Sequence, residues 1–434
     1  MKQLSKKDIV VIGFMLFALF FGAGNLIFPP FLGQEAGSHF WIAITGFVIT
    51  GVGLPIIAII AIASVKGGIQ AISSRVHPLF GVIFTISLYL MIGPFMGIPR
   101  GANVAYEMGV VPFLSSPTSS SLTIFSIFFF ILVYLLSLNP SKLVDRIGVI
   151  LTPFLLGAIA FIGIGGLINL ESSTLNEVSD KYAQSPFFTG FMEGYLTMDT
   201  IGALAFGIVI ITAIKSKGVN DQTSIVQITA KAGIVAGIGL VTVYVVIGLI
   251  GVNMTSIQTF ENGGQILTSA AQQFYGAPGV VLLGLTVGVA CFTTCVGLVT
   301  ACSQYFVTLW PRLSYKQTAF MLTIISGLIA NIGLNEIISL SIPMLTVIYP
   351  LTIVLIVLTF LHKWFKGSPI VYITTLTSTG IISMYDGLKE AGLGKAVPLL
   401  QHLPLYSSGL GWWLPAVIGG LIGWTISTLI DAKR

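Results

Sequence analysis

Residues 14–37 read Phe-Met-Leu-Phe-Ala-Leu-Phe-Phe-Gly-Ala-Gly-Asn-Leu-Ile-Phe-Pro-Pro-Phe-Leu-Gly-Gln-Glu-Ala-Gly, and the fold follows from how this stretch is understood. It is an apolar run suited to one membrane-crossing helix, interrupted near its middle by Gly22-Ala23-Gly24-Asn25 and followed by Pro29-Pro30. In hydrocarbon an unpaired backbone N–H or C=O costs several kcal/mol, so non-helical backbone at mid-depth persists only where it is buried in protein or lines a cavity. Two readings are open. One is a spanning helix kinked by glycine and proline, both common in membrane helices. The other is a binding site: glycine lets a ligand approach the backbone, the Asn25 amide both donates and accepts, and two half-helices aim free carbonyls and free N–H groups at the gap.

The composition makes a membrane protein of the whole chain. Of 434 residues, 55% are hydrophobic and 8% charged, and the mean hydropathy is +0.98. A soluble domain carries about a quarter charged residues. The net charge of +5 lies in short clusters between apolar runs, a pattern of topology and not of nucleic-acid binding. Lys2, Lys6 and Lys7 ahead of an apolar run imitate a signal peptide, but the run continues to Leu32, so an uncleaved first span is expected. Cys291, Cys295 and Cys302 fall in one expected helix with no His or carboxylate beside them, as small packing residues do. His39, His77, His362 and His402 fall near expected helix ends.

A span needs about 20 predominantly apolar residues. Twelve are expected, at 8–34, 39–63, 78–100, 121–138, 145–168, 187–214, 223–252, 277–306, 317–333, 335–361, 368–385 and 410–430. With the N-terminus inside, the inner segments hold Lys2, Lys6, Lys7, Lys66, Arg75, Lys142, Arg146, Lys215, Lys217, Lys231, Arg312, Lys316, Lys363, Lys366, Lys433 and Arg434, and the outer ones Arg100, Lys181, Lys389 and Lys395. This asymmetry puts both termini in the cytoplasm of a multi-pass protein of the cell membrane, with lipid as its surroundings. Lys231 is expected to snorkel to the inner surface. Residues 171–180 form an acidic loop, and a short helix over Gln265 to Phe274 is expected outside the membrane. Nothing in the pattern fixes an oligomeric state.

The sixth span is the second anomaly. It runs Pro-Phe-Phe-Thr-Gly-Phe-Met-Glu-Gly-Tyr-Leu-Thr-Met-Asp-Thr-Ile-Gly-Ala-Leu-Ala-Phe-Gly from Pro186 to Gly207, with Glu193, Asp199, Thr200, Gly202 and Gly207 along an otherwise apolar helix. Interruptions thus occupy the first and sixth spans. If residues 1–168 and 187–361 are two five-helix repeats, with 368–434 supplying two further helices, these positions correspond and the second repeat is inverted. That arrangement is the sequence pointer to a secondary transporter with its site at mid-membrane. Asp199 or Thr200 could cap the second half-helix, or Asp199 could meet a substrate ammonium or a cation. On the eighth span Ala290, Thr293 and Thr294 share a face at i, i+3, i+4. Their oxygens suit a small cation, although Thr in membrane helices commonly bonds back to its own i−4 carbonyl.

With Phe-Gly-Ala-Gly-Asn-Leu-Ile-Phe-Pro-Pro at residues 21–30 and Met-Asp-Thr-Ile-Gly-Ala-Leu-Ala-Phe-Gly at 198–207, the whole chain resembles the bacterial branched-chain amino acid carriers, a family of leucine, isoleucine and valine cation symporters. That family is similar to transporters with the leucine-transporter fold, in which five plus five inverted helices precede two more. The resemblance implies uptake of Leu, Ile and Val driven by sodium. It also implies that backbone N–H groups at the first break meet the substrate carboxylate while the Asn helps to coordinate an ion, which implicates Ala23, Gly24 and Asn25. It further implies a sodium ion held by Ala290, Thr293 and Thr294 with carbonyls of Ala18 and Phe21. Proton-coupled relatives carry a Lys on the fifth helix; the fifth span here has none, which favours sodium.

Alternating access is the expected mechanism, with the ammonium meeting carbonyls around Phe20, Phe21 and Gly22 and the region of Asp199, Thr200 and Gly202. A proton-coupled transporter of other neutral amino acids is the alternative. A channel needs a continuous polar pore, and an intramembrane enzyme needs a nucleophile and base or a metal cluster at depth. The sequence offers neither, nor any motif for an organic cofactor.

Overall fold

A computed structural model describes residues 4–138, 152–168, 178–255, 257–394 and 397–432. In chain order the helices are α1 (Lys6–Phe20), α2 (Ala23–Ala36), α3 (Phe40–Val48), α4 (Leu54–Ser64), α5 (Gly68–Ser73), α6 (Pro78–Leu90), α7 (Gly97–Gly109), α8 (Ser119–Ser137) and α9 (Thr152–Ile168). They continue as α10 (Asp180–Ala183), α11 (Pro186–Glu193), α12 (Asp199–Ser216), α13 (Gln222–Met254), α14 (Gly263–Leu309), α15 (Tyr315–Ala330), α16 (Leu334–Leu361), α17 (Pro369–Glu390) and α18 (Trp413–Ala432). Where they are described, the twelve expected spans fall mainly on helix. Residues 145–151 of the fifth span, 171–177 of the acidic loop, and Lys2, Lys142, Arg146, Lys395, Lys433 and Arg434 lie outside the described residues. Among the described residues eight helical segments are long and apolar enough to cross a membrane. The other expected spans are covered by helices that are shorter, as α1, α9 and α15 are, or more polar, as α17 is.

Side chains mark many of the helix starts. Ser5 accepts the Asp8 N–H at 3.1 Å, Asp221 the Ser224 N–H at 2.8 Å and Asn262 the Gln265 N–H at 3.1 Å, each satisfying a donor that the first helical turn leaves open. Asp8 also pairs with Lys217 at 2.8 Å, tying the start of α1 to the residue after α12. The expected helix over Gln265 to Phe274 is present as the first part of α14, which turns at Gly276 (φ +62°) before entering the eighth span. Gln34 fixes the approach to it, donating to the Phe260 carbonyl and accepting the Phe260 N–H, both at 2.9 Å. Lys231 is exposed on α13. Cys291, Cys295 and Cys302 are buried free thiols.

Four details differ from the sequence reading. The first break is shorter than Gly22 to Asn25: α1 ends at Phe20 and α2 starts at Ala23, so only Phe21 and Gly22 leave the helix. Gly24 and Asn25 are already helical because Asn25 accepts the Gly22 N–H at 2.8 Å and so closes the turn itself. The sixth-span break lies ahead of Asp199, over a 3₁₀ turn at Gly194–Thr197 and Met198, whose φ of +66° interrupts the helix. Gly202 and Gly207 sit inside α12, where Gly207 packs on Ile62. The second and third spans also bend, through π turns at Ile49–Gly53 and Met91–Phe95, the latter at Gly93-Pro94. Such turns widen a helix locally and free backbone groups. Finally, Arg100 is not an outer-loop residue. It is 4% exposed, inside the bundle on α7.

The core is organised on α13, which packs against α1, α2 and α4, while α14 packs along α7. Contact between α2 and α13 is backbone to backbone: a Cβ on Gly33 would strike the Gly248 carbonyl, and one on Gly251 the Pro30 carbonyl. Small residues permit this approach, which supplies dispersion contacts where lipid removes the usual hydrophobic drive. Gly251→Leu therefore has to push α2 outward. Overpacking of this kind costs about 1–3 kcal/mol. The purified variant is expected to unfold at a visibly lower temperature than wild type, whereas an unchanged midpoint would show that the contact is loose.

Candidate functional site

The two breaks face each other and are joined by side chains from three helices. Asn25, one turn into α2, uses its oxygen to accept the Gly22 N–H and its nitrogen to donate to Asp199 Oδ2 at 2.5 Å and to the Tyr244 hydroxyl. Tyr244, midway along α13, donates in turn to the same Asp199 oxygen at 3.0 Å. Phe47 packs edge-on against the Tyr244 ring at 5.3 Å and steadies it. Asn25, Asp199 and Tyr244 are 1%, 5% and 0% exposed, so the carboxylate sits in protein with Asn25 and Tyr244 both donating to it. Neither Asp199 nor Thr200 caps α12. Its N-cap residue, Met198, makes no side-chain cap, and the Asp199 N–H goes to Thr197 Oγ1 at 3.3 Å. The capping alternative for Asp199 is thereby replaced by a role facing the first break.

A small cavity lies between the breaks. Of the residues expected at a substrate site, Phe20, Gly22, Ala23, Gly24, Asn25, Asp199 and Gly202 line it. Phe21 and Thr200 are buried but do not; Phe21 stacks on Phe17 with ring centroids 5.1 Å apart. Arg100, Thr197, Phe206 and Thr294 complete much of the wall. Its volume of about 30 Å³ suits a water or two and no amino acid. A larger ligand requires the half-helices to move apart. A groove of about 800 Å³ between α16, α17 and α18, lined by Trp364, Trp412, Trp413 and Trp424, is larger but apolar and remote from the breaks.

The residues expected to hold a cation are placed on α1, at its C-cap Phe21 and on α14. Thr294 Oγ1 donates to the Phe21 carbonyl at 3.4 Å, directly linking α14 to the first break. Thr293 bonds back to its own helix, to the Val289 and Ala290 carbonyls, both at 3.0 Å. Ala18 and Ala290 are buried on α1 and α14, which pack on each other, but like Thr293 they do not reach the cavity.

Two residues of the site escape a reading by spans. Tyr244 lies in an apolar run with no local mark. Arg100 counts naturally as a loop cation, yet it follows Ile-Gly-Pro-Phe-Met-Gly-Ile-Pro, a stretch as rich in Gly and Pro as the first break. That density was the available signal.

An all-helical membrane chain with two broken helices meeting at a polar, buried centre is built as a transporter, not an enzyme. The fold agrees with solved transporters. Mhp1, a nucleobase-cation-symport-1 family transporter, superposes with a TM-score of 0.63 at 13% identity over 98% of this chain and 92% of its own. MhsT in complex with L-phenylalanine gives 0.52 at 17% identity, covering 99% of each chain. These place the chain in the leucine-transporter fold. The profile of the branched-chain amino acid transport proteins matches residues 5–430, and the chain belongs to that family. It is 48% identical over 432 residues to the branched-chain amino acid permease BrnQ of Bacillus subtilis, covering 98% of both. It is 41% identical over 436 residues to the branched-chain amino acid transport system 2 carrier protein of Pseudomonas aeruginosa, covering 100% of this chain and 99% of that one.

The triangle of side chains makes a specific demand. Hydrogen bonds to a buried charge contribute about 1.5–3 kcal/mol. Tyr244→Phe removes one of two such bonds to Asp199, and substrate affinity is expected to fall about tenfold with little change in shape. Asn25→Ala removes the other and also frees the Gly22 N–H, so uptake should be lost almost wholly while expression persists. Normal uptake by the Asn25 variant would leave the first break as a passive kink.

Proposed function

We propose that this protein is a sodium-coupled symporter that takes up leucine, isoleucine and valine across the cell membrane by alternating access, with both termini in the cytoplasm and lipid around its apolar flanks. The observation that carries this reading is the meeting of the two broken helices over Asn25, Asp199 and Tyr244 in a chain of this family. Residues 1–168 and 187–361 serve as inverted five-helix repeats, and 368–434 adds two helices outside them. The substrate carboxylate meets the N-terminal end of α2 at Ala23 and Gly24, where helix N–H groups and the positive end of the macrodipole point into the gap. Its ammonium meets Asp199 and the last carbonyls of α1. Apolar walls from Phe20 and Phe206 suit an aliphatic side chain. One methylene in such a pocket is worth about 1–3 kcal/mol, so the three branched substrates are expected to compete closely.

Sodium coupling is supported by the contact of Thr294 with the Phe21 carbonyl across α1 and α14. An ion held there draws on both helices and favours the conformation in which they meet. Sodium and leucine should then tighten each other's binding by one shared factor. Thr293→Val and Thr294→Val delete an oxygen at nearly constant size, and each should raise the sodium concentration that gives half-maximal uptake. Proton coupling is the second reading, and Asp199, a buried carboxylate at the centre of the site, is the feature that would serve it. Labelled leucine uptake into proteoliposomes separates the two. Accumulation is expected to follow an imposed sodium gradient, and accumulation that ignores sodium and follows a proton gradient would overturn the assignment. Asp199→Asn should abolish accumulation under either gradient.

A further inference from the structure

We propose that Arg100 is the fixed cationic anchor for the carboxylate of the transported amino acid, so that the site recognises a zwitterion at two points, Arg100 and Asp199. This deepens the reading of the site above and rests on it.

The Arg100 guanidinium lines the cavity between the breaks while being 4% exposed. Its Nη1 donates to the Leu196 carbonyl at 2.6 Å and its Nη2 to the Thr197 carbonyl at 3.1 Å, which holds it on the turn that breaks the sixth span. The Phe28 ring lies under it at 5.5 Å. A guanidinium has five N–H donors. Two are engaged, and Nε is buried with no acceptor at all. Among the described residues the ion pairs are Lys181 with Glu193 and Lys217 with Asp8, so no carboxylate contacts Arg100 directly, and Asp199 acts on it only at longer range across the same cavity wall. A buried, unpaired charge with an orphaned donor is costly to keep in a protein interior. Carbonyl oxygens orient this one without neutralising it. What the geometry lacks is an anionic acceptor in hydrogen-bonding contact with the guanidinium, and an Arg fork matches a carboxylate in two parallel bonds.

Position supplies the second argument. Arg100 Nη2 stands 2.8 Å from where a Cβ on Gly24 would be. Glycine at 24 is therefore what allows the guanidinium to lie across the N-terminal turn of α2. The helix end and the guanidinium present positive charge to the same corner of the cavity. Asp199, with Asn25 and Tyr244 donating to it, forms another part of the wall. A free α-amino acid carries both complementary charges; an amine or a fatty acid carries one.

The test uses the full-length protein in lipid nanodiscs, with labelled leucine displaced by leucine, by leucinamide, which keeps the ammonium and lacks the carboxylate, and by 4-methylpentanoate, which has the reverse. Wild type is expected to prefer leucine to leucinamide by about 10–100-fold, the worth of hydrogen bonds to a charged partner. Arg100→Gln should weaken leucine and leave leucinamide nearly unchanged, collapsing that ratio, and should abolish displacement by 4-methylpentanoate. Arg100→Lys keeps the charge without the fork, and its ratio should fall between the two. If the Gln variant does not fold, the Lys variant decides alone. A ratio equal to wild type overturns the proposal, and so does equal weakening of leucine and leucinamide, which would make Arg100 a clamp for the Leu196 and Thr197 carbonyls. The two readings fail separately, because a wild type that prefers another amino acid to leucine overturns only the branched-chain assignment.

Discussion

A broken helix inside a bilayer is tolerable only if the backbone groups it exposes find partners within the protein, and here Asn25 does much of that work. One side-chain amide takes the Gly22 N–H with its oxygen and reaches Asp199 and Tyr244 with its nitrogen. The local repair of the first break is thus the same set of bonds that joins it to the second. The position of α2, the reach of α12 and the register of α13 against both are linked through this residue.

The surrounding packing holds the junction from both sides, with α13 packed on α1 as well as on α2. Glycine contacts lock α2 to α13, and Gln34 ties α2 to the segment at Phe260. On the other side, α1 meets α14 through a long bond from Thr294 to Phe21, and its beginning is held by the half-exposed Asp8–Lys217 pair. A cavity too small for an amino acid separates these parts. The bends at Ile49–Gly53 and Met91–Phe95 put adjustable turns beside the site.

Much of this was legible in the chain. Long apolar runs of membrane length, alternating with short basic clusters, specify a polytopic helical protein because hydrocarbon admits few other ways of satisfying a backbone. Glycine and a polar residue at the middle of the first and sixth runs marked the two breaks for the same reason. The motifs at 21–30 and 198–207 pointed to the family that the profile then matched across the chain. Those signals are local, and a linear reading can carry them.

What only the tertiary structure decided depends on pairing across distance. Tyr244 lies 219 residues from Asn25 and nothing near it in sequence marks it as polar to a purpose; its hydroxyl matters because α13 passes both breaks. Arg100 looked like a loop cation since charge after an apolar run is ordinarily interfacial, yet the turn at Gly93-Pro94 and the Leu196 and Thr197 carbonyls bring it inside. Asp199 could have capped its own helix or faced a ligand with equal local logic. The choice fell to the nearest strong donors, Asn25 and Tyr244, which the fold supplies from two other helices.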